Sequence, residues 1–245
     1  MSPAPRRILV TGGAVGIGAA TARALAPDNR LLIHYNRSRD AAESLAESLA
    51  GIAVDVHLAR GDLTTDRGCE ELQEAARMHL GALDVLVNNA GGMIERQSVG
   101  ELTWRHLADT FALNALSTMR LTSLCRSLLE SGDGACVVNV TSIAVRHGAP
   151  SATAYGAAKA AVDAFTRGAA KELAPIRVNA VAPGMIDTAF HDRVTSPALM
   201  RQFVEATPLR CVGTPEMVAS TIKFMVENEF MTGETVDCNG GLFMR

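Results

Sequence analysis

Aromatic side chains are scarce: phenylalanine, tryptophan and tyrosine make up 4% of the 245 residues, and the chain holds only two tyrosines. Basic charge is not in excess either. Net charge is −3 and the isoelectric point is near 6.1, so no basic field favours nucleic acid or an anionic membrane. Nowhere do 18 consecutive apolar residues occur, so no membrane-spanning helix is expected. The five cysteines (Cys69, Cys125, Cys136, Cys211 and Cys238) are odd in number and far apart, with no CxxC pair. That speaks against a disulfide framework or a cysteine-built zinc site and for buried free thiols in a reducing compartment. The six histidines form neither HExxH nor a closely spaced pair, so metal catalysis has no support. Arg6 and Arg7 lead into a short apolar run and then glycines, unlike a secretory signal, and a cytoplasmic location is expected. No low-complexity linker, charge run or internal repeat interrupts the chain, so residues 1–245 are expected to form one domain.

What is present is a regular alternation. A hydrophobic content of 48% and a charged content of 20% suit an ordinary globular core. Apolar, β-branched runs read as strands: "RRILVT" from Arg6, "RLLIHY" from Arg30, "AVDVHL" from Ala53 and "LDVLVNN" from Leu83. Three more follow: "ACVVNVTS" from Ala135, "IRVNAVAP" from Ile176 and "ETVDCNG" from Glu234. Continuous runs of this kind fit strands covered on both faces. Helix-period segments such as "GIGAATARALA", "DAAESLAESLA" and "DRGCEELQEAARMHL" lie between them. This pattern predicts an α/β fold: a doubly wound parallel sheet of about seven strands, with helices on both faces.

After the first strand comes "TGGAVGIG": Thr11, Gly12, Gly13, Ala14, Val15, Gly16, Ile17, Gly18. Glycines at a strand-to-helix turn let the backbone approach a pyrophosphate and leave helix N–H groups pointing at it. Tight turns need glycine anyway, but this cluster closes a strand and opens a helix, the context a dinucleotide site requires. At the end of the second strand, "HYNRS" offers no carboxylate for ribose hydroxyls. Asn36, Arg37 and Ser38 instead suit a 2′-phosphate, so NADP is favoured and NAD stays open, as does a merely solvated Arg37.

The segment "AYGAAK" places Tyr155 four residues before Lys159, on one helix face a turn apart. A phenol titrates near 10, and a nearby ammonium favours its ionised form; a shift of ~3 units needs roughly 4 kcal/mol. Gly156, Ala157 and Ala158 leave room for a ligand against this helix. Taken alone, the pair is weak evidence, since chance pairs on helices are common and a packed helix face is the better reading.

With its TGxxxGxG turn, the chain resembles the short-chain dehydrogenase/reductase family. "NNAG" at Asn88–Gly91, "APG" at Ala182–Gly184 and "TGE…NGG" at 233–241 extend the likeness over nearly the whole chain. Ser142 lies 13 residues before Tyr155, and Asn114 lies 28 before Ser142, matching the family's Asn-Ser-Tyr-Lys set. The resemblance implies that Tyr155 exchanges a proton with the substrate oxygen, Ser142 hydrogen-bonds that oxygen, and Lys159 lowers the tyrosine pKa and holds the nicotinamide ribose. It implies that Asn114 binds a relay water through its backbone. Asp62 and Leu63 in "GDL" would meet adenine; Asn89, Ala90 and Gly91 would lie along the cofactor. Pro183, Gly184, Ile186 and Thr188 would bracket the nicotinamide carboxamide.

Substrate identity is expected in the loops at Gly92–Ile94, Ile143–Gly148 and Met185–Phe203, the last read as a lid. Arg146, His147, His191 and Arg193 could meet an anionic substrate there, although exposed loop charges are more often merely solvated. The nearest branch is the 3-oxoacyl thioester reductases, with a small-molecule carbonyl or alcohol substrate. The basic carrier-docking residues typical of acyl-carrier-protein reductases are replaced by "LLESGDGA", with Glu130 and Asp133. Sugar, polyol or small aldehyde substrates are therefore the alternative, and a catalytically silent nucleotide sensor a further one. A homotetramer or homodimer is expected through the helices carrying Asn114 and Tyr155, where "AAVDAFTRGAA" allows close packing.

Overall fold

A computed structural model describes residues 4–188 and 195–244. Strands β1 (Arg7–Val10), β2 (Arg30–Tyr35), β3 (Asp55–Arg60), β4 (Val85–Asn88), β5 (Cys136–Val140), β6 (Arg177–Pro183) and β7 (Thr235–Cys238) form one parallel sheet. All seven anticipated strands are present in the order β3-β2-β1-β4-β5-β6-β7. The β3 run was expected to begin at Ala53 but pairs from Asp55, because Val54 donates its N–H to Asn29 O and belongs to the preceding turn.

Side chains alternate across the sheet. Leu9, Leu86 and Val137 face one layer, made by α3 (Asp66–Leu80), α5 (Ser117–Leu124) and α8 (Thr153–Glu172). That numbering counts α4 (Trp104–Phe111) before α5, with α6 (Arg126–Glu130) and the short α7 (Ala144–His147) between α5 and α8. Ile8, Val10, Val85 and Val138 face the other layer, where α1 (Gly16–Leu25) packs against α10 (Pro215–Glu227). Next to them α2 (Arg39–Leu49) covers Leu31 and Ile33, and α9 (Pro197–Ala206) lies on the rim. Leu9, Leu32 and Leu86 are fully buried, so truncating any of them to alanine costs about 2–5 kcal/mol.

The topology positions the site. Connections from β1 run outward to β2 and β3, whereas β4 lies on the other side of β1. The connections leaving the carboxyl ends of β1 and β4 therefore run in opposite directions and leave a crevice at the point where strand order reverses. Among the described residues no helix is long and apolar enough to cross a membrane, and no cluster of metal-ligating side chains occurs.

Candidate active site

The glycine turn is held by hydrogen bonds from three sides. Thr11 Oγ accepts from the N–H groups of Asn89 and Ala90, both at 2.9 Å, while donating to Val87 O. Asn89 Nδ2 donates to the carbonyls of Thr11 and Gly12 at 2.9 and 3.0 Å. Gly12 N–H donates to His34 Nδ1 at 3.1 Å, so the neutral ring carries its hydrogen on Nε2 and donates to Gly61 O. Burial pushes the His34 pKa down, which keeps this tautomer neutral.

Two of the turn's glycines have backbone that side chains resist. Gly12 has φ +57° and Gly16 has φ +53°, both in the left-handed region. A Cβ on Gly18 would stand 2.2 Å from Gly12 O, so only glycine lets α1 start this close to β1. Val15 is half exposed, and Val15, Gly16 and Ile17 line the cleft, whereas Ala14 is buried under the turn. Thr188 lies against Gly16, its Cγ2 3.3 Å from where a Cβ would be.

The rim after β2 exposes Asn36 and Arg37, while Ser38 lines the cleft. Asp62 sits nearby. Hydrogen bonds from the Thr64 hydroxyl and amide hold its carboxyl below the usual range, and the Arg37 charge adds to that. Leu63 packs into the core, so it presents only backbone to this rim. Shape and charge here suit a dinucleotide: a cradle that a Cβ would fill, N–H groups at a helix start, and a cation where a 2′-phosphate would lie.

Three of the four expected polar residues, Ser142, Tyr155 and Lys159, line the cleft, and Asn114 lies buried behind Gly91. Ser142 follows β5, and its Oγ accepts from Ala144 N at 3.2 Å while bonding with the Tyr155 hydroxyl. Tyr155 and Lys159 project from α8 into the same cleft. Burial pushes the Tyr155 phenol up, and the Ser142 contact pulls the other way. Lys159 is 3% exposed, donates to Val140 O at 2.8 Å, and is pushed down by burial to about 8. Desolvation is thus the largest influence on both groups.

Asn114 lies in a π turn (Ala112–Leu116) inside the long helical run. Fully buried, it exchanges hydrogen bonds with Gly92 N and O at 2.8 Å and donates to Thr110 O. The extra residue of a π turn turns this amide toward the β4 loop. A Cβ on Gly91 would come within 2.9 Å of both Asn114 Oδ1 and Lys159 Nζ, which explains a glycine there. On the far wall Gly184 N donates to Cys238 O, and Ile186 pairs in a bridge with Gly213; both line the cleft with Pro183.

Gly12, Val15, Gly16 and Ile17 of the turn and Ser142, Tyr155 and Lys159 line one cleft of about 720 Å³, whereas Asn114, Asn36, Arg37 and Asp62 stand outside its wall. Its outer part is lined by Met93, Arg96, Ile143, His147, Phe203 and Leu242. His147 takes the expected place, its ring tilted against Phe203 at 6.4 Å. Arg146 does not. Its Nε lies 3.0 Å from Asp237 Oδ1 on β7 and its Nη2 3.8 Å from Asp163 on α8, so the guanidinium ties elements together behind the cleft. His191, Arg193 and part of the anticipated lid fall outside the described residues. Sequence reading missed Arg96, four residues beyond Gly92, and His34, whose one signal is a polar side chain inside an apolar strand.

A family profile described as "Enoyl-(Acyl carrier protein) reductase" matches residues 12–243. The chain is 35% identical over 251 residues to a 3-oxoacyl-[acyl-carrier-protein] reductase of Synechocystis sp., covering 96% of each. Against the 7alpha-hydroxysteroid dehydrogenase of Bacteroides fragilis identity is 32% over 241 residues, 96% of this chain and 93% of that one. A short-chain dehydrogenase from Burkholderia cenocepacia J2315, solved in complex with NADP, superposes with a TM-score of 0.89 at 28% identity, covering 97% of both chains. Sheet order, glycine turn and these likenesses converge: the chain belongs to the short-chain dehydrogenase/reductase family of oxidoreductases.

Proposed function

We propose that this protein uses NADPH to reduce a ketone on a small molecule, a 3-oxoacyl thioester or a similar compound, or runs that reaction in reverse. The observation that carries the reading is Tyr155 bonded to Ser142 and stacked a turn from Lys159, at the end of a cleft that begins at the glycine turn. Gly12, Ala14, Val15, Gly16 and Ile17 would hold the diphosphate. Asn36, Arg37 and Ser38 would hold the 2′-phosphate, and Asp62 with the Leu63 backbone the adenine. Asn89, Ala90 and Gly91 would lie along the cofactor, with Pro183, Gly184, Ile186 and Thr188 at the nicotinamide. Bound NADPH supplies the hydride.

The chain's own groups manage the proton. Tyr155 gives its hydroxyl proton to the substrate oxygen as charge develops there, and takes it back in the oxidative direction. Ser142 donates to the same oxygen and stabilises that charge. Lys159, still mostly protonated at neutral pH with a pKa near 8, biases Tyr155 toward giving up its proton and offers donors to the ribose. Asn114 holds the loop after β4 in place through its two hydrogen bonds with Gly92. The acyl-reductase relative supports the thioester reading. Acidic Glu130, paired with Arg126 at 2.7 Å on α6, is a poor dock for an acidic carrier and favours a small carbonyl compound as the second reading. Exposed Trp104 and Leu116 on the helices that carry Asn114 support assembly as a homodimer or homotetramer.

The test is NADPH consumption with a short 3-oxoacyl thioester beside sugars, polyols and simple ketones, repeated with NADH. Turnover with NADPH in preference to NADH is expected. Tyr155→Phe should cut it by about 10²–10⁴ while NADPH binding, read by fluorescence, persists. Undiminished turnover in that variant sinks the catalytic assignment.

A further inference from the structure

The outer half of the cleft carries a charge that the proton chemistry does not use. Arg96 follows the β4 loop and lines the cleft with Met93, Ile143 and Phe203, on the side where it meets Ser151 of the loop before α8. Its position is defined from two sides: Nη1 contacts Ser151 Oγ at 3.5 Å and Nη2 contacts Thr195 Oγ1 at 3.4 Å. Gln97 N donates to Ser151 O at 2.9 Å, so the segment bearing Arg96 is stapled to the loop before α8. Burial pushes the Arg96 pKa down, the mark of a guanidinium drawn partly out of water. Among the described residues lining the cleft, Arg96 and Lys159 carry positive charge and none is an aspartate or glutamate, a lining that favours anions. At the inner end that bias suits the cofactor's phosphates. Arg96 lies among apolar side chains, where the rest of the substrate must go.

Resting on the ketone-reduction reading, we infer that the substrate is an oxo acid whose carboxylate docks on Arg96 while its carbonyl meets Tyr155 and Ser142. A guanidinium presents a planar fork of N–H donors that matches a carboxylate in bidentate fashion, and the pairing strengthens where water is thin. Met93 and Ile143, each 8% exposed, and Phe203 would pack against the carbon chain between the two polar ends.

Paired substrates that differ in charge alone test this. NADPH oxidation by the full chain is measured with levulinate against methyl levulinate and acetoacetate against methyl acetoacetate. A third pair, acetoacetyl-CoA against its neutral N-acetylcysteamine thioester, asks whether the anion is a carrier phosphate. The acids should exceed their esters in kcat/KM by about 10- to 100-fold, as expected for a charge-assisted bidentate contact. In Arg96→Gln that ratio should fall toward one, and Arg96→Lys should keep part of it; an unchanged NADPH Kd shows that both variants are folded. Equal use of acid and ester, or a ratio indifferent to Arg96→Gln, overturns the inference and leaves ketone reduction standing. An Arg96-dependent preference seen only in the CoA pair overturns the oxo-acid assignment in favour of a phosphate. NADPH oxidation by none of the six compounds overturns both readings.

Discussion

The two ends of the cleft are built differently. At the dinucleotide end, Thr11, Asn89 and His34 bond to backbone N–H and C=O groups at 2.9–3.1 Å, and glycines let strand, turn and helix touch. At the substrate end, loops meet through side chains at longer range: Arg96 to Ser151 and Thr195 at 3.5 and 3.4 Å, and His147 to Phe203 at 6.4 Å between ring centres. The first end belongs to the sheet, so altering it disturbs the fold. The second hangs from the sheet and can change its side chains with little effect on stability. Chemistry common to many substrates is thus anchored in backbone, while the choice among substrates is left to loops.

That contrast breaks most visibly at Gly18. A methyl group there would stand 2.2 Å from Gly12 O and 2.6 Å from Asn89 Nδ2, and neither can move without releasing the turn. Gly18→Ala should cost about 3 kcal/mol or more and abolish NADPH binding, read by chemical denaturation and fluorescence titration. The same methyl at Gly148, whose Cβ position is open, meets no neighbour, although its φ of +67° adds backbone strain.

Thr11→Val sharpens the comparison with less damage. Shape is kept, but the N–H groups of Asn89 and Ala90 lose their acceptor, an expected loss of about 1–3 kcal/mol. Calorimetry should show the lowered Tm. A substrate-end change such as Phe203→Ala, on a rim helix with no buried residues, should leave Tm nearly unchanged and raise KM. If both variants lose stability equally, the two ends do not differ as described.

Acid gives the smallest effect. His34 has its pKa lowered in the folded protein, so it binds its proton more readily when unfolded. Its contribution to stability is complete above about 6.5 and declines as pH falls below that value. Protonation would also turn Nδ1 from an acceptor into a donor facing the Gly12 N–H. Tm and NADH affinity should therefore drop together in mild acid, NADH being the probe because it lacks a titrating 2′-phosphate. His34→Gln should flatten that slope; an unchanged slope removes His34 from the turn's support.

Much of this was legible beforehand because it rests on local spacing. "TGGAVGIG" and "AYGAAK" each lie within one turn or helix, where spacing sets geometry. Strand edges were less legible: Ala53 and Val54 look like β3 until the Val54 N–H is taken by Asn29, 25 residues away in sequence. Arg146 misled for the same reason. In the sequence an arginine four residues after Ser142 looks available, and only folding brings Asp163 and Asp237 to it. Arg96 and His34 went unnoticed because their partners, Ser151, Thr195, Gly12 and Gly61, lie 22 to 99 residues off.

By itself, then, the sequence determined the alternation of strands and helices, the glycine turn, and Ser142, Tyr155 and Lys159, which line one cleft. Each depends on periodicity or on short-range spacing along the chain. The tertiary structure alone decided which charges face the cleft and which are neutralised behind it. It also set the direction in which burial moves Tyr155 and Lys159. Charge and solvation are properties of what surrounds a group in space, and only packing specifies that.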